Sequence, residues 1–207
     1  MTLGAAPASD AARRRLGYRT VDETARLAEA GILVLDPFST LVSPEVTLEA
    51  GVTLYPGVIL RAENGGRIDV AAGVDLWPGV ILRANQGRIA IGPGAEIGDE
   101  GGFTVTAGPA GVSIGARARL NGGGAIQESG SIGDGAQILG RIAVRGCTLE
   151  GGGDYTEPEP DRRGAVLKGF GQARHLALGR GRVIQAFGIF DAADARWQSF
   201  FHPPGAR

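Results

Sequence analysis

Apolar residues recur every six positions along the middle of this chain, and a six-residue step predicts a coil with three flat sides. Residues 54–62 read Leu-Tyr-Pro-Gly-Val-Ile-Leu-Arg-Ala and residues 76–84 read Leu-Trp-Pro-Gly-Val-Ile-Leu-Arg-Ala, a single aromatic exchange in nine positions. Repetition of this kind marks a solenoid, in which each unit buries its apolar face only against its neighbours. Aligning further coils on this pair gives a first column of Leu48, Val70, Ile91, Ile114 and Ile132. Six residues on stand Leu54, Leu76, Ile97, Leu120 and Ile138, and six beyond those Leu60, Leu82, Phe103, Ile126 and Val144. All fifteen are apolar. Four places past the first column, Val52, Val74, Ala95, Ala118 and Ala136 are small enough for the inside of a tight corner.

The first-column spacings of 22, 21, 23 and 18 residues exceed or equal the eighteen of three six-residue sides, and the alignment puts every extra residue after the third side. A coil that takes insertions at one corner only is a triangular prism with loops stacked along one edge, a common place for a binding surface. The fold class is therefore all-β: a left-handed parallel β-helix with a short N-terminal helix and a short C-terminal helix. Antiparallel strands of a barrel or sandwich fit regular six-residue steps poorly. A right-handed β-helix also has coils of about this length, and the equal sides favour the left-handed form.

At the N-terminal side, Thr20 and Glu23 form a capping-box pair and Gly31 a stop, predicting a helix over residues 20–30 that lids the first coil. Residues 1–17, rich in Ala, Ser and Arg, predict a mobile arm. The rhythm breaks at Gly151-Gly152-Gly153, and residues 154–163, with Pro158, Pro160 and four acidic residues, cannot be a strand. Leu178, Ile184 and Phe190 resume the step. The segment is then a loop thrown out of the prism, either closing a site in a neighbouring subunit or lying disordered on the surface. Residues 191–201 predict a short helix whose Trp197, Phe200 and Phe201, with Phe190, cover the open end. The chain divides into a mobile N-terminus and capping helix (1–31), a parallel β-helix with an excursion at 151–165 (32–190), and a C-terminal helix and tail (191–207).

Composition narrows the function classes. Aromatic residues make up 6% against 36 glycines, so the core is aliphatic. Lys and Arg number 21 against 22 Asp and Glu, which leaves no global field to recruit nucleic acid or an anionic membrane. The single Cys147 forms no intrachain disulfide, and neither a signal peptide nor an apolar run of membrane length is visible, so the expected compartment is the cytoplasm. Outward positions carry the candidate chemistry. Stacked Tyr55 and Trp77 predict a subunit interface. Arg61, Arg83, Thr104, Gln127 and Arg145 form a polar ladder that suits a phosphate or carboxylate, or is simply a solvated face.

The entry Gly31-Ile32-Leu33-Val34-Leu35-Asp36-Pro37-Phe38-Ser39-Thr40, with Tyr55-Pro56-Gly57-Val58-Ile59-Leu60, Cys147-Thr148-Leu149-Glu150-Gly151 and His175-Leu176, resembles the hexapeptide-repeat acyltransferases. Within them it is most similar to the acetyltransferase domain of the bifunctional uridyltransferase and glucosamine-1-phosphate acetyltransferase, loosely over residues 20–149. The resemblance implies a homotrimer, acetyl-CoA as donor, and an amino sugar or related small acceptor bound between subunits. It implies His175 as the base that deprotonates the attacking amine, with Arg61, Arg83, Arg145 and Asn121 toward the substrate. The chain departs from that family at Asn121, where an Arg follows Ala-Arg-Leu, and at Leu178, where a Tyr stands three residues past the His. The γ-class carbonic anhydrases share the fold but need three zinc-ligating His, and this chain has only His175 and His202, so no metal is expected. Two readings stay open: a CoA-dependent acyltransferase, and a non-catalytic trimer serving as a binding or assembly module.

Overall fold

The computed structural model describes residues 7–202. From Leu33 onward the chain winds as a parallel β-solenoid of about seven turns. Each coil lays one short strand on each of three walls, and each wall is a column of parallel strands.

The register settles the columns. On the first wall Leu48, Val70, Ile91, Ile114, Ile132, Leu149 and Leu178 stack in order. On the second, Val34, Leu54, Leu76, Ile97, Leu120, Ile138, Leu167 and Ile184 do the same. Fourteen of the fifteen expected core residues are buried, and Leu48 packs against the core partly exposed. Stacking at the ~4.8 Å spacing of neighbouring strands means each aliphatic group is covered above and below by its own kind, so one pattern serves every coil.

The third column departs from expectation at one rung. Leu82 pairs with Val105, and Val105 with Ile126, so Phe103 is not the third-wall member of its coil. Two of the extra residues sit at the second corner instead, where Glu100, Gly101 and Gly102 all adopt positive φ and widen the turn. Phe103 still enters the core, at the corner, with its ring against Gly124, where an added Cβ would lie 2.8 Å from Cε2. The outward neighbour of Arg83 is consequently Thr106, not Thr104.

The N-terminal segment is tied down rather than mobile over its described part. A first helix, Pro7–Arg15, precedes the capping-box helix Val21–Ala25, which runs on as a 3-10 turn, Arg26–Ala30, closed by Gly31. Thr20 accepts from the Glu23 amide while the Glu23 carboxylate accepts from the Thr20 amide at 2.7 Å. That backbone donor holds the Glu23 carboxyl below its usual range. Arg13 is buried and donates to the carbonyls of Pro37, Phe38 and Thr40, which anchors the first helix to the turn leading into the first coil. Leu27 packs against the open core end. Residues 1–6, within the arm expected to be mobile, lie outside the described residues.

The excursion at 151–165 leaves the prism between two stacked coils, yet it is ordered, not a disordered loop. The Asp161 carboxylate accepts from the Ser199 amide and hydroxyl, both at 2.8 Å, and Gln198 donates to the Gly164 carbonyl at 2.8 Å. At its base Arg117 pairs with Asp154, and the Arg119 guanidinium lies 4.3 Å over the Tyr155 ring. The expected C-terminal helix takes the form of two single 3-10 turns, Ala192–Asp194 and Gln198–Phe200. Between them Arg196–Trp197 pairs antiparallel to the last second-wall strand. That strand covers a sheet edge. Of the four aromatics expected to close the end, Phe190 does so from within the core, while Trp197, Phe200 and Phe201 remain exposed. Among the described residues no helix is long and apolar enough to cross a membrane.

Candidate functional site

The corner between the third and first walls repeats one local geometry. In the last three coils Glu128, Gly146 and His175 occupy it with φ of 67°, 61° and 52°, while Asn64 and Gln86, with φ of 53° and 59°, stand two residues further along the corners of earlier coils. The left-handed φ of 52° at His175 is thus a property of the tight corner of the later coils, shared with Glu128 and Gly146 below it. Its amide donates to the Arg145 carbonyl one coil down, at 2.9 Å. The imidazole lies over Gly146, where a Cβ would stand 2.6 Å from Nδ1, so only glycine at 146 leaves the ring in place.

Outward positions of the first wall are small: Ala90, Ser113, Ser131 and Thr148 stack in register. Beside them the corner loops of the earlier coils stand proud, while later coils turn more tightly, with Gly146 alone answering Glu128 and Ser129. The difference leaves a groove of about 450 Å³, lined by Arg88, the 110–113 segment, residues 129–131 and residues 146–148. Along the same wall lies a larger depression of about 610 Å³, which shares Arg88, Ala90, Ser113 and Ser131 with it. Arg88 pairs with Asp69 at 2.6 Å. His175 does not itself line this groove; its ring rests on Gly146, which does.

The sequence-derived site residues separate into groups. Arg61, Arg83, Thr106, Gln127, Arg145 and Arg174 form one outward ladder on the third wall. Arg145 and His175 meet at its upper end. Arg83 lies three rungs from Arg145, about 14 Å away at the usual strand spacing, and Arg61 one rung further. Arg61 is paired with Glu63 at 2.7 Å, and Arg145 with Glu128, whereas Arg83 has no acidic partner among the described residues. Asn121 is at the second corner, across the third wall from His175. It is buried, with Oδ1 unpartnered, and is not brought to the groove. Tyr55 and Trp77 do stack, with centroids 4.5 Å apart, at the same second corner.

Sequence reasoning passed over Gly146, Ser131 and Thr148 as groove residues, although aligning the corner positions would have found the first. Cys147 points inward beneath His175, 1% exposed, with Sγ directed at the Arg145 carbonyl. Burial pushes its thiol above the ordinary range. It is thus a packing residue, since nucleophilic cysteines need thiolate and access. Native protein is expected to resist iodoacetamide at neutral pH and to gain one adduct by mass spectrometry only in guanidinium; rapid native alkylation contradicts this placement.

Fold and groove define a parallel β-solenoid carrying a small-residue cleft along one edge. Compared with known proteins, the chain matches no family profile, and no curated sequence is significantly similar to it.

Proposed function

We propose that this solenoid winds left-handedly, assembles as a cytoplasmic homotrimer, and transfers an acyl group from acetyl-CoA or a related thioester to a small amine acceptor. The observation that carries the reading is an exposed imidazole resting on Gly146, a lining residue of an open cleft with small side chains along its wall. An extended thioester arm needs such a cleft, and an attacking amine needs a base free to reach it. Arg83 supplies positive charge on the adjoining wall for an anionic acceptor, while Arg145 would first have to leave Glu128. The trimer reading is supported by the outward face of the third wall, where Ile59, Ile81, Thr104, Ala125 and Ala143 are in register and only half exposed. Left-handed winding is favoured by the equal six-residue walls.

One observation favours the alternative, a non-catalytic trimer that binds or organises. The His175 imidazole has no hydrogen-bond partner among the described residues to fix its tautomer, as a tuned base usually has.

Isothermal titration with acetyl-CoA and free CoA separates the two. Saturable heat is expected, and His175→Gln should leave donor binding intact while lowering turnover about 10²-fold or more, the usual worth of a general base. No heat at millimolar ligand overturns the acyl-transfer reading. Light scattering that reports a monomer removes any intersubunit acceptor site.

A further inference from the structure

The excursion and the C-terminal tail build something the acyl-transfer reading does not use. Both fold back over the outer face of the second wall at its last three rungs. Between them they leave a cleft of about 390 Å³, a volume suited to a small ligand. We propose that this cleft binds a small carboxylate whose body is flat and apolar, such as an aromatic acid.

The floor consists of two columns of outward residues. Gln137, Val166 and Val183 stack in one, and Leu139, Lys168 and Gln185 in the other. Val166 and Val183 are buried although they face away from the core, because the excursion and tail cover them. An apolar strip thus lies beside a polar one. Tyr155 and Arg163 wall the cleft on the excursion side, and Phe201 with His202 on the tail side.

The charges within it are one-sided. Lys168 is in the cleft with no acidic partner among the described residues, and no Asp or Glu lines the cleft. Nearby carboxylates are already engaged: Asp161 by Ser199, and Asp154 by Arg117 and Thr156. Arg163 adds a second cation at the wall, its Nε held by the Glu157 carbonyl and its charge without an acidic partner among the described residues. One unpaired ammonium with glutamine amides around it answers a single negative charge, and the valine and aromatic surfaces answer a ring. The flat apolar wall beside these cations matches an aromatic carboxylate better than a phosphate, for which a nest of backbone amides would be expected.

The cleft is held open by contacts with groups outside it. The Asp161–Ser199 pair clamps excursion to tail across 38 residues of sequence, and the Arg119–Tyr155 contact sets the ring against the wall. The site is thus preformed. It stands on a different wall from the His175 groove and does not depend on the function assigned to that groove.

The test is an NMR titration of the full-length chain with benzoate, following the side-chain amides of Gln137, Gln185 and Gln198, with benzyl alcohol as the uncharged comparison. Saturable shifts confined to these amides and to the backbone of residues 166–168 and 183–185 are expected. Benzyl alcohol should bind more weakly, and Lys168→Gln should cut benzoate affinity about tenfold, the worth of one charge-assisted hydrogen bond. An unchanged melting temperature certifies the variant. Shifts scattered over the exposed aromatics, equal binding of the alcohol, or benzoate affinity unaltered by Lys168→Gln each overturn the proposal.

Discussion

Replacing Leu82 by Asp is expected to abolish the cooperative folded state, while Arg83→Asp, one residue further along the same strand, leaves the melting temperature within a few degrees. Leu82 is fully buried and stacks between Leu60 below and Val105 above. A carboxylate there would have no counter-ion and no donor, at a cost of several kcal/mol. It would also surrender the ~2 kcal/mol of a buried leucine. Domains of this size are stable by roughly 5–15 kcal/mol, so the loss consumes much or all of it. A mid-solenoid position sharpens the effect, because a coil that opens uncovers the apolar face of both neighbours. Arg83 points outward, exposed and without an ion pair among the described residues, so its replacement removes no buried contact. Circular dichroism melts of the two variants check the register directly. A Leu82→Asp protein that melts cooperatively near the parent temperature contradicts the inward assignment of the whole column.

A second large effect is expected where coils approach most closely. Gly169 has φ +124°, and a Cβ there would lie 2.0 Å from the Ala186 carbonyl oxygen of the next coil. Gly188 has nearly the same φ, +122°, but sits on the last coil with nothing within 4 Å of such a Cβ. Substituting alanine at either position forces an L residue into a backbone region costing about 1–3 kcal/mol. Only at Gly169 does the methyl also strike backbone, and relief requires widening a strand spacing that the hydrogen-bond ladder holds near 4.8 Å. Gly169→Ala should therefore lose clearly more than Gly188→Ala in urea midpoint, the difference reporting the contact alone. Equal losses would mean that the coils are not stacked as tightly as this glycine implies.

The candidate groove was only partly legible in advance. His175 and Arg145 were both singled out, and they meet. Their meeting depends on the corner geometry, in which a left-handed residue follows the outward polar one in coil after coil: Gln127 then Glu128, Arg145 then Gly146, Arg174 then His175. That repeat is visible in the sequence once the coils are aligned. The groove's depth was not, because it comes from a mismatch between long early corners and short later ones. Asn121 looked equally polar on paper, yet it is buried at the second corner, in register with Leu139 and away from the groove.

Periodicity alone established the solenoid, its aliphatic columns and the corner where most insertions fall. Every coil meets the same neighbours, so a contact made once is written in the sequence several times over. A contact made once only leaves no such trace. The two-residue slip that puts Val105 in place of Phe103, the burial of Arg13 against the carbonyls of residues 37–40, and the Asp161–Ser199 clamp each join segments that occur a single time. Those contacts set which loops are ordered and where clefts open, and they depend on hydrogen-bond partners and close packing that exist only after the coils have stacked.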